Sequence, residues 1–232
     1  MFDKSRKGRH EGVTVFEVDH AKQALSPSRY ERQAIELSAW RSILSDVGLI
    51  GQDAQRYDGI GFGNLSCRTA PISAGRGRRS FLVTGSQTGH LSQLTLDNFA
   101  RVTQYDWRAN RVSSEGLCPP SSESMTHGAV YDLAPSIRYI FHVHAPSIWS
   151  LRRRLKLPET GACIEYGTPQ MADAISELRR HSLFWSRQAF AMAGHEDGIV
   201  TFGKTAQEAG SIALALLAQA RQIVHGPVHR SE

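Results

Sequence analysis

Two histidines one residue apart, His142 and His144, close the run Tyr139-Ile140-Phe141-His142-Val143-His144. A third, His195, stands later in the chain within Gly194-His195-Glu196-Asp197-Gly198. An acid, Glu123, precedes them in Pro119-Pro120-Ser121-Ser122-Glu123. Three neutral imidazoles that leave one coordination position open make a catalytic metal site, and a carboxylate beside it can move a proton. The plainer reading of an HxH pair is one buried, hydrogen-bonded histidine and one exposed. The plainer reading of Glu123 is an acid complementing a helix dipole.

These side chains need particular elements to meet. Tyr139 to His144 is rich in β-branched and aromatic residues, and Ala145-Pro146 stops it, so a buried strand is expected. Residues two apart on a strand share a face, so His142 and His144 project together with Val143 turned away. Such a pair can reach one Zn²⁺ at about 2.0–2.1 Å. Pro119-Pro120 suits a helix start from Ser122, with Ser121 or Ser122 as its cap and Glu123 in the first turn. Free amides at that end favour an anion such as phosphate. His127 falls on the same helix face as Glu123. It can be a fourth ligand, a partner of a ligand or a buried histidine.

Upstream, Gly59-Ile60-Gly61-Phe62-Gly63-Asn64-Leu65-Ser66-Cys67-Arg68 alternates glycine with apolar residues, so backbone can pass close to a ligand or a strand. It is no dinucleotide fingerprint, and the chain has no P-loop. Asn64 and Ser66 offer neutral hydrogen bonds, or simply form a turn. Phe81 to Thr84 reads as a strand ending at Gly85, where a hydroxyl and an amide can face an oxyanion.

Taken together, PSSExxxHxxxY followed by HVH, with GFGNLSCR and LVTGS upstream and Tyr166-Gly167-Thr168-Pro169 downstream, resembles the class II aldolase/adducin family. The likeness runs from about Ala34 to Gly210, most of the chain. It implies His142, His144 and His195 as zinc ligands and Glu123 as acid/base. It implies Asn64, Thr84, Gly85, Ser121 and Ser122 as the holders of a substrate's anionic end. It further implies a three-layer α/β/α domain and a ring-shaped homotetramer with active sites between subunits. The expected activity is a metal-dependent lyase, cleaving a C–C bond through a metal-stabilised enediolate on a small hydroxy-carbonyl or sugar-phosphate substrate. Epimerase, dehydratase and decarboxylase outcomes stay open, and a non-catalytic adducin-like scaffold is the reading of another class. Three imidazoles also suit Mn²⁺, Fe²⁺ or Co²⁺.

Three departures from the family pattern stand out. Glu196 and Asp197 separate His195 from Gly198, either as a second acidic pair at the metal or as a tight turn. The aldolases carry a proton-donating aromatic residue shortly before the YGT-like step, where this chain has Cys163. Tyr166 can substitute or pack. The stretch Ser86 to Leu91 is longer than the usual turn, and His90 can enter the pocket or lie on the surface.

The remaining features bound these readings. The 232 residues, 41% hydrophobic, suffice for one substantial core, with a net charge of +5. Scattered basic residues and no aromatic-basic interleaving argue against nucleic acid. Cys67, Cys118 and Cys163 form no CxxC and cannot all pair. A reduced, cytoplasmic setting without membrane or leader segments is expected. Residues 1–24 read as a flexible tail or arm, 25–226 as a single domain and 227–232 as a C-terminal tail. Within the domain, Ser28 and Glu31 suggest a capping box for a first helix with an apolar stripe of Ile35, Ala39, Trp40, Ile43, Leu44 and Val47. Thr168-Pro169 starts a later helix and Thr205 caps the last. The order of elements argues for one mixed, mostly antiparallel sheet with helices on both faces.

Overall fold

β-Branched and aromatic residues crowd the runs that the structure, a computed structural model describing residues 12–226, pairs into its main sheet. In chain order the elements are β1 (Glu17–Lys22), α1 (Pro27–Asp46), β2 (Gly51–Gln52), β3 (Gly61–Phe62), β4 (Asn64–Arg68), β5 (Phe81–Thr84), β6 (Phe99–Asp106) and β7 (Arg111–Gly116). There follow α2 (Ser124–Tyr131), β8 (Tyr139–His144), α3 (Pro146–Ser150), α4 (Pro169–Leu178), α5 (Phe184–Arg187), β9 (Ala189–Ala191), β10 (Gly198–Gly203) and α6 (Ala206–His225). Eight strands run in the order β1-β7-β6-β5-β4-β8-β10-β9, while β2 and β3 form a separate pair. Every neighbouring pair in the large sheet is antiparallel except β1 with β7.

Alternation along the strands divides the interior into two cores, one on each face. Phe141 and Val143 pack with Leu37 and Leu44 of α1 and Ala213 and Leu216 of α6. Ile140 and Val200 face the other way, onto Met125 and Val130 of α2 and Ile175 of α4. The result is a three-layer α/β/α sandwich, as the element order implied. Pro169 begins α4 and Thr205 caps α6 as expected. The Thr168 and Thr205 hydroxyls accept from the amides of Met171 and Glu208, which fixes where α4 and α6 start.

Within the segment read as an N-terminal tail or arm lies β1, whose Glu17–Lys22 pair with Arg111–Gly116 along the sheet edge. The remainder of that arm, residues 1–11, and the C-terminal tail 227–232 lie outside the described residues. Helix α1 begins at Pro27 after Ser26, two residues ahead of the expected box, because proline's fixed φ suits the first turn. Its inward face is Ala34, Leu37, Arg41 and Leu44. Ile35 and Ile43 are 64% and 44% exposed. Of the expected stripe, Trp40, Leu44 and Val47 pack on the core, while Ile35, Ala39 and Ile43 face outward and a buried arginine shares the inner face.

Replacing Leu37 by alanine is expected to cost about 2–5 kcal/mol in urea unfolding, against about 0.5 kcal/mol or less for Ile35→Ala. Equal costs would contradict this orientation of α1.

Candidate metal centre

Strand periodicity aims His142 and His144 at the α2 side of the sheet, the side that also receives Ile140. Strand β8 lies between β4 and β10, with Asn64 and Val200 opposite His142 and Gly198 opposite His144. His195 arrives on the connection between β9 and β10. The Gly198 amide donates to the His195 carbonyl at 3.0 Å, and the His195 amide to the Met192 carbonyl at 3.0 Å. Asp197 takes a left-handed φ of 62° within this turn. Gly198 must lack a side chain, since a Cβ there would lie 2.7 Å from His195 Cδ2 and 3.3 Å from His142 Nε2.

Ligand atoms of the three histidines all fall within 4.8 Å of one another. Their ring centroids are 4.8–5.2 Å apart. His142 and His144 are wholly buried and His195 is 5% exposed. Burial holds the pKa of His142 and His144 well below the usual imidazole value, with the neighbouring rings adding to the effect. It lowers His195 to about 3. All three are therefore neutral near pH 7, each with a lone pair to give. Among the described residues no hydrogen-bond partner meets His142 Nε2, although that atom is buried. Neutral donors in this arrangement fit a divalent cation.

Glu123 is wholly buried, with Oε1 3.3 Å from His195 Nε2. Because burial keeps His195 neutral, this contact joins a carboxyl group to a neutral ring and is not an ion pair. The helix behind Glu123 begins at Ser124, two residues later than the sequence suggested. Glu123 itself occupies the N-cap of α2, and its amide donates to Ser121 Oγ at 3.2 Å. The Ser121 backbone carbonyl accepts from the Ser124 amide and hydroxyl, closing the turn.

His127 resolves into the last two of its three options. Its Nε2 lies 2.6 Å from Asn64 Oδ1 and its Nδ1 2.6 Å from Ser66 Oγ. Both ring nitrogens are engaged, so it is a buried histidine linked to His142 through Asn64. Burial lowers its pKa to about 3. Glu196 is exposed, and Asp197 Oδ2 accepts from the Tyr57 hydroxyl at 2.6 Å, so Glu196-Asp197 is the tight turn rather than an acidic pair at the centre. Tyr57, left-handed at φ 50°, sets its ring edge-on to His144 at 4.8 Å. Arg56 donates to both the Tyr57 hydroxyl and the His144 carbonyl. No sequence motif marks Tyr57 or Arg56. Tyr166 packs its ring 4.6 Å from that of His195 and exchanges hydrogen bonds with the backbone of Val13. Cys163 and His90 are exposed.

A narrow recess of about 30 Å³ opens beside the centre, lined by Asn64, Gly85, Ser121, Ser122 and, unexpectedly, Arg41. The Gly85 amide is already given to the Asn98 carbonyl at 2.8 Å. Gly85 must lack a side chain for packing, since a Cβ would lie 2.3 Å from Cys118 Sγ. Thr84, at the end of β5, is buried and its hydroxyl accepts from the Leu65 amide at 3.2 Å. Arg41, 2% exposed, donates to the carbonyls of Leu91, Thr88 and Gly89 at 2.6–3.0 Å. These carbonyls solvate the guanidinium without neutralising it. Desolvation lowers its pKa, and among the described residues no carboxylate pairs with it.

The model of the class II aldolase and adducin N-terminal domain matches residues 52–224, and the chain belongs to that family. The fold is shared with solved structures of low identity. The L-fuculose-1-phosphate aldolase from Thermus thermophilus is 20% identical, with a TM-score of 0.57, the match covering 84% of this chain and 93% of that one. The sugar-phosphate aldolase from Thermotoga maritima is 17% identical, with a TM-score of 0.59 and coverages of 84% and 94%. YgbL from Escherichia coli, a candidate aldolase/epimerase/decarboxylase, is 18% identical, with a TM-score of 0.61 and coverages of 85% and 91%. No curated protein matches the chain. No helix among the described residues is long and apolar enough to cross a membrane.

Buried neutral histidines must take up protons when the chain unfolds in acid. For His127 and His195 the folded pKa is about 3, below the unfolded value. Their contribution is full above about pH 6.5 and falls as the pH drops toward 3, on the order of 1 kcal/mol per pH unit for each. Thermal midpoints of the metal-free protein are expected to fall between pH 6.5 and 4.5. A flat profile would contradict neutral burial.

Proposed function

We propose that the chain is a divalent-metal-dependent lyase of the aldolase type, acting on a small hydroxy-carbonyl compound with an anionic group, such as a sugar phosphate. The observation that carries this reading is one buried constellation. Three neutral imidazoles share a point with the Glu123 carboxyl group, next to a recess walled by Ser121, Ser122 and a buried cation. His142, His144 and His195 would hold Zn²⁺, or alternatively Mn²⁺, Fe²⁺ or Co²⁺. Bound there, the ion supplies Lewis acidity for the negative charge that develops when a C–C or C–H bond next to a carbonyl breaks.

The chain's own residues supply the rest. Glu123, shut away from water beside His195, moves the proton between carbon or hydroxyl and solvent. Ser121 and Ser122 offer hydroxyls to the anion at the start of α2, with Gly85 and Asn64 completing the wall, while Thr84 stands outside the lining with its hydroxyl taken by the Leu65 amide. Arg41 lends this recess a positive charge. A scaffold reading leaves unexplained why four such groups converge under complete burial. Epimerase, dehydratase or decarboxylase chemistry at the same centre remains the second reading. It is favoured by one observation: the Tyr166 hydroxyl is held by Val13, and Cys163 is exposed, so no aromatic proton donor stands ready in that segment. The family resemblance also favours assembly into a homotetramer, which sedimentation would measure.

Protein purified without a histidine tag is expected to carry about one ion per chain, lost in the His142→Ala/His144→Ala double variant. Glu123→Gln is expected to keep the ion and lose about 10²–10⁴-fold in turnover of a hydroxy-carbonyl substrate. Metal absent from wild type, with no uptake of added Zn²⁺ or Mn²⁺, would sink the reading. Separately, Arg41→Met is expected to weaken binding of inorganic phosphate by about tenfold or more at unchanged metal content, whereas unchanged phosphate affinity would remove Arg41 from the recess.

A further inference from the structure

A continuous line of buried hydrogen bonds leads away from the back of His142. Its Nδ1 lies 3.3 Å from the Asn64 amide nitrogen. The other end of that amide lies 2.6 Å from His127 Nε2. His127 Nδ1 meets Ser66 Oγ at 2.6 Å, Ser66 Oγ meets the Tyr131 hydroxyl at 2.8 Å, and Tyr131 reaches the Arg138 carbonyl at 3.4 Å. Asn64 is 6% exposed, and His142, His127, Ser66 and Tyr131 are wholly buried. Water does not compete for these bonds, so each proton must be placed by the groups themselves.

Only two proton arrangements satisfy the line, and they differ by a half-turn of one amide. With the Asn64 nitrogen toward His142, Nδ1 of that ring accepts. A neutral His142 then carries its proton on Nε2, the atom that faces the other two histidines, and cannot ligate through it. His127 in turn donates to Asn64 and accepts from Ser66, which accepts from Tyr131. With the amide turned over, its oxygen accepts from His142 Nδ1–H, and Nε2 presents a lone pair. The amide nitrogen then donates to His127 Nε2, His127 Nδ1–H donates to Ser66, Ser66 to Tyr131, and Tyr131 to the Arg138 carbonyl. From His142 Nδ1 to the Tyr131 hydroxyl every group is satisfied in both arrangements. Among the described residues, the first leaves the buried His142 Nε2–H with no acceptor and the Arg138 carbonyl with the Arg68 amide alone, at 2.8 Å. Oxygen and nitrogen of an amide exchange places by that rotation alone.

We propose that Asn64 and His127 are positioning residues that set which nitrogen of His142 carries the proton, and that ion binding selects the arrangement in which the Asn64 oxygen accepts from His142 Nδ1–H. Asn64 thereby has a task beyond lining the recess, because both ends of its amide are committed to imidazoles. The Arg138 carbonyl, which also accepts from the Arg68 amide at 2.8 Å, takes the last proton of the metal-bound arrangement. This inference rests on the reading of the three histidines as a metal centre.

The test measures zinc affinity by competition with a chelator for wild type, Asn64→Leu and Asn64→Asp, alongside ¹⁵N spectra of the histidine rings. Aspartate can accept from His142 Nδ1–H and from His127 Nε2–H together, whereas leucine accepts from neither. Asn64→Leu is expected to lose about 10–100-fold in affinity, and Asn64→Asp to stay within about tenfold of wild type. Zinc-loaded wild type should show His142 protonated at Nδ1. Should the leucine variant fail to fold, Asn64→Ala is read in its place. Equal affinity in wild type and Asn64→Leu, equal loss in the leucine and aspartate variants, or His142 protonated at Nε2 with zinc bound would each overturn the inference. Wild type that binds no ion would sink the metal reading and this inference together. Wild type that binds, with Asn64→Leu binding as well, sinks this inference alone.

Discussion

The molecule depends on the antiparallel register of three central strands, β4, β8 and β10. That register sets Asn64 and Val200 on either side of His142 and leaves Gly198 opposite His144. Because side chains alternate, a slip of one residue in β8 would send both histidines into the opposite core and Phe141 and Val143 into the centre. Phe141 and Val143 are wholly buried against α1 and α6, so the apolar packing on one face holds the ligands on the other. The stability of the fold and the geometry of the centre are therefore one quantity seen from two sides of a sheet.

Burial then decides the electrostatics. Imidazoles enclosed in this way give up their charge, which suits them to donate lone pairs. Arg41 cannot respond likewise, since a guanidinium keeps its proton. It is solvated instead by backbone carbonyls of the loop that α1 touches. Neutral donors gathered at one point, with a fixed cation a short way off, separate two tasks that a single charged cluster would confuse.

Much of this was legible in the residues. The strand at Tyr139–His144 and the last strand at Gly198–Gly203 follow from composition and period, and the helix starts at Pro169 and Ala206 follow from their caps. The converging His142, His144, His195 and Glu123 could be named from types and motif. Other parts were not legible, for physical reasons. Arg41 hides inside a helix whose apolar residues Ile35 and Ile43 face outward, so the pattern gave no sign of a buried arginine on the inner face. The Tyr57–Asp197 bond joins two left-handed residues far apart in the chain, and neither position carries a glycine to announce its conformation. Gly85 was expected to lend its amide, but Asn98 takes it, a contact that only tertiary structure reveals. The bridging role of His127 is likewise a product of three elements meeting, invisible to spacing along any one of them.

The walls of the recess have one more implication. Gly61 and Gly89 press backbone to backbone, with a Cβ on Gly61 falling 3.0 Å from the Gly89 Cα, and the space left is about 30 Å³. That is room for roughly two water molecules. Under the proposed function such a slot would admit the oxygen face of an anionic head group and little else. An inhibitor built on that proposal would keep the head constant and vary the portion that projects past the histidines.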